Sequence, residues 1–171
     1  MIFKTNSIPT VLLTLLLLAS CVLAHQPQTS KDARGSSSYV PVTRYDPKRD
    51  ATQDLSEAIN EAARTGKNVM LEVGGDWCSW CHTLDGFFTA HRDLIEVRDK
   101  NYVTVKINFS QENKNEKVLS RYPQITGYPH IFFLNSTGKL LQSQDTSVME
   151  SGSSYNLERV RDVLTKWAPQ Q

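Results

Sequence analysis

Two cysteines with two residues between them, Cys78 and Cys81, are the side chains of this chain best suited to chemistry. A thiolate is a strong nucleophile, and two thiols at this spacing can form a disulfide and release it again. A ring this small does little to restrain an unfolded chain, so it adds little stability. The third cysteine, Cys21, lies far upstream, and the sequence therefore lacks the several distant pairs of a disulfide scaffold. The spacing predicts a redox pair.

The pair follows a predicted strand and begins a predicted helix. Residues 68–73 read as a short buried strand, a Gly-Gly-Asp break ends it, and a helix starts near Ser79. This places the first sulfur at a helix N-terminus, where unpaired N–H groups and the helix dipole stabilise a thiolate. We therefore expect Cys78 to be the attacking nucleophile and Cys81 the resolving thiol, while Trp77 offers an apolar surface to a substrate.

Other uses of the same residues have to be weighed. The run from Cys78 to His82 also satisfies the C-x-x-C-H pattern of c-type haem attachment. A haem domain needs a ligand pocket, whereas the flanking strands favour a sheet. A duplicated zinc motif would need a second cysteine pair, and a site built from Cys78, Cys81 and His82 would have only His91 nearby as a fourth ligand. We therefore expect neither a metal nor a haem. The other alternative is an inert structural disulfide.

Apolar periodicity predicts the elements that must position this pair. The predicted order is a helix from Asp50 to Gly66, the strand 68–73, one long helix from Ser79 past Ile95, a strand 102–108, a short helix 116–122, strands 130–135 and 139–142, and a closing helix 157–167. Strands alternate with helices at first, and a hairpin completes the sheet. This order predicts an α/β fold, a central mixed sheet with helices on both faces.

The N-terminal region predicts export. Lys4 precedes a Leu-rich stretch that suits a signal peptide and is short for a membrane span. Residues 18–21, Leu-Ala-Ser-Cys, are similar to a bacterial lipobox, which would make Cys21 the lipidation site; simple cleavage after Ala24 is the alternative. We expect residues 1–21 to be the signal, 22–44 a flexible linker and 45–171 the folded domain. In a eukaryote the lipobox would mean nothing, and the sequons at Asn108 and Asn135 would become candidate glycan sites.

The charge balance excludes one class of partner. The formal net charge is +1, which gives no electrostatic reason to expect nucleic acid. We find no second apolar span in the sequence, so membrane contact is expected only through an N-terminal lipid.

Three features together resemble the thioredoxin superfamily, over roughly residues 45–167. The first is the Trp-Cys-x-x-Cys run at 77–81 after a buried strand, the second is Gly-Tyr-Pro at 127–129 before an apolar strand, and the third is a terminal hairpin at 135–141. The Trp-Cys-x-Trp-Cys centre and the Tyr-Asp-Pro at 45–47 are similar to exported bacterial members of that superfamily.

The resemblance implies further roles. Pro129 would follow a cis peptide bond near the sulfurs, and Tyr128 would offer its main chain to an extended substrate. Glu72 falls where thioredoxins carry a buried acid that relays a proton to or from the resolving cysteine; an edge-strand Glu facing solvent is the alternative. The Ser79-Trp80 dipeptide departs from the Gly-Pro of cytoplasmic thioredoxin and leaves the direction of electron flow open.

The expected function is thiol–disulfide exchange on protein substrates through a Cys78 mixed disulfide that Cys81 resolves. The likeness to reducing members favours a periplasmic protein disulfide reductase, which needs a redox donor or acceptor protein as partner. We expect a monomer with no cofactor beyond the two sulfurs. The alternative from another class is a thioredoxin-fold binding module whose disulfide does not turn over.

Overall fold

The computed structural model describes residues 1–2 and 39–170. The expected signal, the lipobox and Cys21 lie outside the described residues. The elements are α1 (Ala51–Thr65), β1 (Asn68–Gly74), α2 (Ser79–Ala90), α3 (Arg92–Asn101), β2 (Tyr102–Asn108), α4 (Glu116–Leu119), β3 (His130–Leu134), β4 (Leu140–Asp145), a 3-10 helix (Thr146–Met149), β5 (Glu150–Ser151), β6 (Ser154–Tyr155) and α5 (Leu157–Lys166).

The four long strands form one mixed sheet in the order β2-β1-β3-β4. β1 runs parallel to β2, with Glu72 beside Lys106, and antiparallel to β3, with Glu72 beside Ile131. β3 and β4 form the terminal antiparallel hairpin. All seven residues of β1 are buried, as expected of a central strand covered on both faces.

Two apolar layers cover the sheet, one on each face. Alternate residues of a strand point to opposite faces, so Val69, Leu71 and Val73 pack with α1 while Met70 packs with α2, α3 and α5. Glu72 and Gly74 have the same parity as Met70 and therefore face α2. The predicted α/β thioredoxin fold, with its mixed sheet, helices on both faces and terminal hairpin plus helix, is confirmed.

The first helix has the ends that its sequence predicts. The Asp50 carboxylate accepts the N–H groups of Thr52 and Gln53, which caps the helix N-terminus. Gly66 ends the helix in the left-handed region at φ 70°, a conformation that glycine adopts without strain. These ends fix where α1 begins and where β1 can start.

The long helix predicted after Ser79 is in fact two helices, and this expectation was wrong. The chain breaks at His91, whose φ of −123° and ψ of 84° are not helical. The ring Nδ1–H of His91 donates to the Phe87 carbonyl at 2.8 Å and so caps the end of α2. The apolar spacing continues across the break because α2 and α3 both pack on the same core, which made the pattern look continuous.

The C-terminal third contains elements that the apolar pattern did not predict. The 3-10 helix and the β5–β6 hairpin lie between β4 and α5, and they are too short to show periodicity. β4 reaches Asp145, beyond the predicted end at residue 142. The prediction stopped too early because the later residues of the strand are polar and give no apolar pattern. The helix predicted at 116–122 ends earlier, at Leu119.

The segment before α1 packs on the sheet. Val42 forms a parallel bridge with Val105, and its carbonyl accepts the Lys106 N–H at 3.0 Å. The Tyr39 hydroxyl donates to the Thr104 carbonyl at 3.3 Å. These contacts lie within residues that the sequence assigned to a flexible linker, so the ordered packing extends upstream of residue 45. Within residues 1–2 and 39–170, no helix has the length and apolar character to cross a membrane.

Candidate functional site

Cys78 and Cys81 are joined by a disulfide at the start of α2, with their Cα atoms 5.2 Å apart. Cys78 is the N-cap residue, and its Sγ accepts the N–H of Cys81 at 3.1 Å. A helix N-terminus carries partial positive charge and free N–H donors. The same donor would stabilise a thiolate on Cys78 after reduction, and the thiolate is the form of a cysteine that reacts.

The two sulfurs differ in how they can be reached. Cys81 is fully buried, whereas Cys78 keeps 4% of its surface exposed. A substrate disulfide can therefore approach Cys78 and not Cys81. This difference agrees with the expected roles, in which Cys78 attacks and Cys81 resolves.

Three aromatic residues form a rim beside the pair. Trp77 is 57% exposed and its Nε1–H donates to the Phe109 carbonyl at 2.7 Å, which fixes the indole. The Tyr128 ring meets Trp77 edge-on with centroids 5.4 Å apart and stacks on Phe109 at 5.1 Å. Tyr128 also packs against the cysteine pair. An exposed tryptophan held by a hydrogen bond offers apolar area at little cost in side-chain freedom.

The peptide bond between Tyr128 and Pro129 is cis, as the resemblance implied. Pro129 is buried, and its carbonyl accepts the hydroxyl of Thr146 at 2.7 Å. Thr146 opens the 3-10 helix, so the element that the sequence did not predict is attached to the loop before β3. The structure thus packs Tyr128 against the cysteine pair and brings Trp77 into contact with Tyr128, with Pro129 next in the chain.

Glu72 is buried beneath the pair, in the central strand. Only 2% of its surface is exposed, which excludes the edge-strand alternative. Burial raises the pKa of the Glu72 carboxyl above its ordinary value, while the Lys106 ammonium and the Tyr45 hydroxyl act to lower it. A carboxyl with a raised pKa is a better proton acceptor near neutral pH than an exposed one.

Two buried side chains and a third that is half exposed form a charge network around Glu72. The Tyr45 hydroxyl donates to Glu72 Oε1, and the Lys106 Nζ lies 3.5 Å from the same oxygen. Lys106 also donates to Asp85 of α2 at 2.5 Å and lies over the Tyr45 ring, 4.7 Å from its centroid. Burial, followed by the nearby Glu72 charge, raises the pKa of Tyr45 well above its ordinary value. Tyr45 therefore stays protonated and serves as the donor.

Gly74 makes this close arrangement possible. A Cβ at this position would lie 2.5 Å from the Cys81 Sγ and about as close to Tyr45, 2.9 Å from its Cζ and 3.0 Å from its hydroxyl oxygen. The distances to the Cys81 Sγ and the Tyr45 Cζ are shorter than real Cβ contacts, which essentially never fall under 3.0 Å. The Cys81 sulfur and the Tyr45 hydroxyl thus share the space that a side chain on residue 74 would fill.

Sequence reasoning did not assign a role to Tyr45, Lys106 or Asp85. A signal for Lys106 existed, because a lysine inside an apolar strand needs a partner, and Glu72 is its in-register neighbour in β1. Asp85 is one helical turn beyond Cys81 and faces that lysine. Tyr45 gave no periodic signal, since its contact arises only when the segment before α1 packs on the sheet.

His82 is exposed, and its Nε2–H donates to the Asp76 carbonyl at 2.8 Å. Among the hydrogen bonds of the described residues, none joins His82 to either sulfur. Among residues 1–2 and 39–170, no group of three His, Cys, Asp or Glu side chains could hold a metal ion.

Residues 50–136, about half of the chain, match the sequence model of a family described as thioredoxin-like. The chain belongs to the thioredoxin-like family. The matched range contains β1, the cysteine pair and the cis proline.

Several relatives of this thioredoxin-like chain are named for thiol–disulfide chemistry. Two are thiol:disulfide interchange proteins DsbD: that of Actinobacillus pleuropneumoniae serotype 5b is 26% identical over 106 residues, covering 61% of this chain and 18% of the relative. That of Salmonella typhimurium is 24% identical over 140 residues, covering 81% and 24%. The chain therefore spans a quarter or less of these relatives. Among solved structures, a disulphide isomerase from Xylella fastidiosa Temecula1 has a TM-score of 0.61 at 22% identity, covering 75% of this chain and 98% of that one, a likeness of fold.

Proposed function

We propose that this domain is an exported thiol–disulfide oxidoreductase that acts on protein disulfides. One observation carries the proposal: a disulfide begins a helix, and its first cysteine is slightly exposed while its second is fully buried beside a tyrosine that donates to a buried carboxylate. The matches to proteins named for disulfide interchange and isomerisation support the same class of reaction. A purely structural disulfide would need neither the exposed Trp77 nor the charge network beneath Cys81.

The reaction proceeds by two exchanges. The reduced Cys78 thiolate attacks one sulfur of a substrate disulfide, and a mixed disulfide forms as the other substrate sulfur leaves with the bonding electrons. Cys81 then loses its proton, attacks the Cys78 Sγ and releases the second substrate sulfur. The substrate is reduced by two electrons and the pair is oxidised. The aromatic rim of Trp77 and Tyr128 holds the substrate chain during both steps, with the Pro129 loop beside it.

Two serine variants test this order. We expect Cys78→Ser to lose reduction of insulin, since the first exchange has no nucleophile. We expect Cys81→Ser to accumulate a mixed disulfide with substrate, visible by mass spectrometry and reversed by dithiothreitol. Wild-type protein, which keeps both sulfurs, is the control in each assay. Wild-type protein that leaves insulin unreduced would favour the binding module instead.

The direction of exchange is proposed as reducing. The reduction potential of the Cys78–Cys81 couple decides the direction: a value of about −270 mV fits a reductase, and one of about −120 mV fits an oxidase. A reductase outside the cytoplasm also needs a redox donor protein, which would engage the same sulfur of Cys78.

The periplasmic location and the lipid anchor are further parts of the proposal. They rest on the leader-like sequence and on residues 18–21. Fractionation of cells that express the full chain tests them: a lipid on Cys21 predicts membrane association that Cys21→Ser abolishes, whereas cleavage after Ala24 predicts a protein with no lipid in either form.

A further inference from the structure

The Tyr45 hydroxyl occupies a position that the redox reaction has so far left without a role. It donates to Glu72 on one side. On the other side it shares the space above Gly74 with the Cys81 Sγ. Tyr45, Cys78 and Cys81 pack as one buried cluster, and Tyr45 is only 5% exposed. A hydroxyl both donates and accepts, so a group in this place can pass a proton between its two neighbours.

We propose that Tyr45 is the relay that connects the resolving cysteine, Cys81, to the Glu72 carboxylate. The inference deepens the proposed function and rests on it for its role in turnover. When Cys81 attacks the mixed disulfide, its thiol proton passes to the Tyr45 oxygen as the Tyr45 proton passes to Glu72. The new Cys81–Cys78 bond forms, the bond from Cys78 to the substrate sulfur breaks, and that sulfur leaves as a thiolate.

Charged or titratable groups from three elements surround the relay. The charged or titratable groups that face Tyr45 and Glu72 are Lys106 from β2, Asp85 and Cys81 from α2, and Tyr155 from β6, while β3 presents the apolar Ile131. The Lys106 ammonium lies over the Tyr45 ring and near Glu72, which stabilises the carboxylate that must accept the proton.

A cleft gives the accepted proton a way out. It measures about 530 Å³, and its lining includes Glu72, Asp85, Lys106 and Tyr39. The substrate, in contrast, approaches Cys78 from the aromatic rim. The proton can therefore leave through the cleft while a bound substrate covers the sulfurs.

Tyr45→Phe tests the relay, because it removes one oxygen and keeps the ring. Reduced protein is mixed with 5,5′-dithiobis(2-nitrobenzoate), and the release of thionitrobenzoate is followed in two phases: attack by Cys78, then resolution by Cys81. We expect the variant to keep the first phase, to slow the second at least about tenfold, and to shift the pH midpoint of the second phase upward.

A second readout does not depend on turnover. Carbon-detected NMR of the disulfide form follows the Glu72 carboxyl, whose pKa we expect to rise further in Tyr45→Phe because the carboxylate loses a donor. Tyr102→Phe is the matched control: Tyr102 is equally buried and loses a hydroxyl bonded to the Leu164 carbonyl, away from the sulfurs.

The outcomes separate the two proposals. If Tyr45→Phe behaves as Tyr102→Phe in both the second phase and the Glu72 titration, the relay is wrong. If wild-type protein reduces no protein disulfide but the variant still shows both shifts, the relay holds and the proposed function fails.

Discussion

Glu72 shows how one buried side chain can carry both chemistry and a cost in stability. Ionisation of its carboxyl costs free energy because the group lies in the central strand, away from water. Tyr45 and Lys106 offset part of that cost by contacting the same oxygen. The folded protein therefore holds the Glu72 proton more tightly than the unfolded chain does, and stability should depend on pH through this residue.

Glu72→Gln makes this dependence measurable. A carboxyl whose folded pKa is raised stabilises the fold fully below its ordinary value of 4.5 and loses that contribution as pH rises through the folded pKa. Glutamine does not titrate. We therefore expect the free energy of unfolding of Glu72→Gln, relative to wild type, to increase from pH 4 to pH 8 in urea titrations of the disulfide form. The exposed Glu158→Gln is the control, and parallel profiles for Glu72→Gln and wild type would contradict the raised pKa.

How much of the site the sequence predicts depends on the kind of residue. Cys78, Cys81 and Trp77 could be assigned because spacing and a strand–helix junction define them locally. Glu72 required the resemblance, since a glutamate between Leu71 and Val73 is ambiguous until β1 is known to be central. Tyr45 could not be assigned, because its partners come from β1 and α2 and only tertiary packing unites them.

At the scale of elements, β1 positions the site through its alternation. One face supports α1, and the other presents Met70, Glu72 and Gly74 in turn to the helices that cover it. On this single face, Met70 therefore packs in the core, Glu72 carries the buried carboxyl, and Gly74 leaves the space that the Cys81 sulfur and Tyr45 occupy. The fold was predictable at this scale because long elements have clear periods; the break at His91 was not, since both helices continue the same apolar face.

Gly74→Ala tests the empty position. The added Cβ would overlap the Cys81 sulfur and the Tyr45 ring, both of which are packed and buried. We expect the free energy of unfolding to fall by about 1–3 kcal/mol and exchange to slow, as measured by urea denaturation and insulin reduction.

Gly86→Ala is the matched control for that change. Gly86 lies inside α2, where a Cβ would have no heavy atom within 4 Å. Alanine favours a helix, so we expect a gain of about 0.5–1 kcal/mol and unchanged exchange. Equal behaviour of the two variants would show that the space above Gly74 is not needed.

At the scale of the whole molecule, the folded unit includes the segment that precedes its first helix. Val42 extends the sheet beside β2, and Tyr45 closes the network beneath the sulfurs. The family match begins only at residue 50, after both of these residues. The hydrogen-bond network around Glu72 is therefore completed by a residue outside the matched range.

Two truncations test this boundary. A chain that begins at residue 39 keeps Val42 and Tyr45, and a chain that begins at residue 46 loses both. We expect the shorter chain to lose at least about 2 kcal/mol in the free energy of unfolding, because it gives up the buried tyrosine and its hydrogen bond to Glu72. Chemical denaturation measures the difference, and superimposable curves would show that residues 39–45 add nothing to the stability of the folded unit.

The packing of that segment also has a mechanical side. Val42 is held to β2 by an isolated bridge, and Tyr45 follows three residues later in the same stretch of chain. A pull along the main chain from residue 39 loads the Val42 bridge and then Tyr45 before it reaches α1. Tension that opened the Val42 bridge would next load the hydrogen bond from the Tyr45 hydroxyl to Glu72. The buried network around Glu72 thus lies on the segment of chain through which an upstream tether would pull.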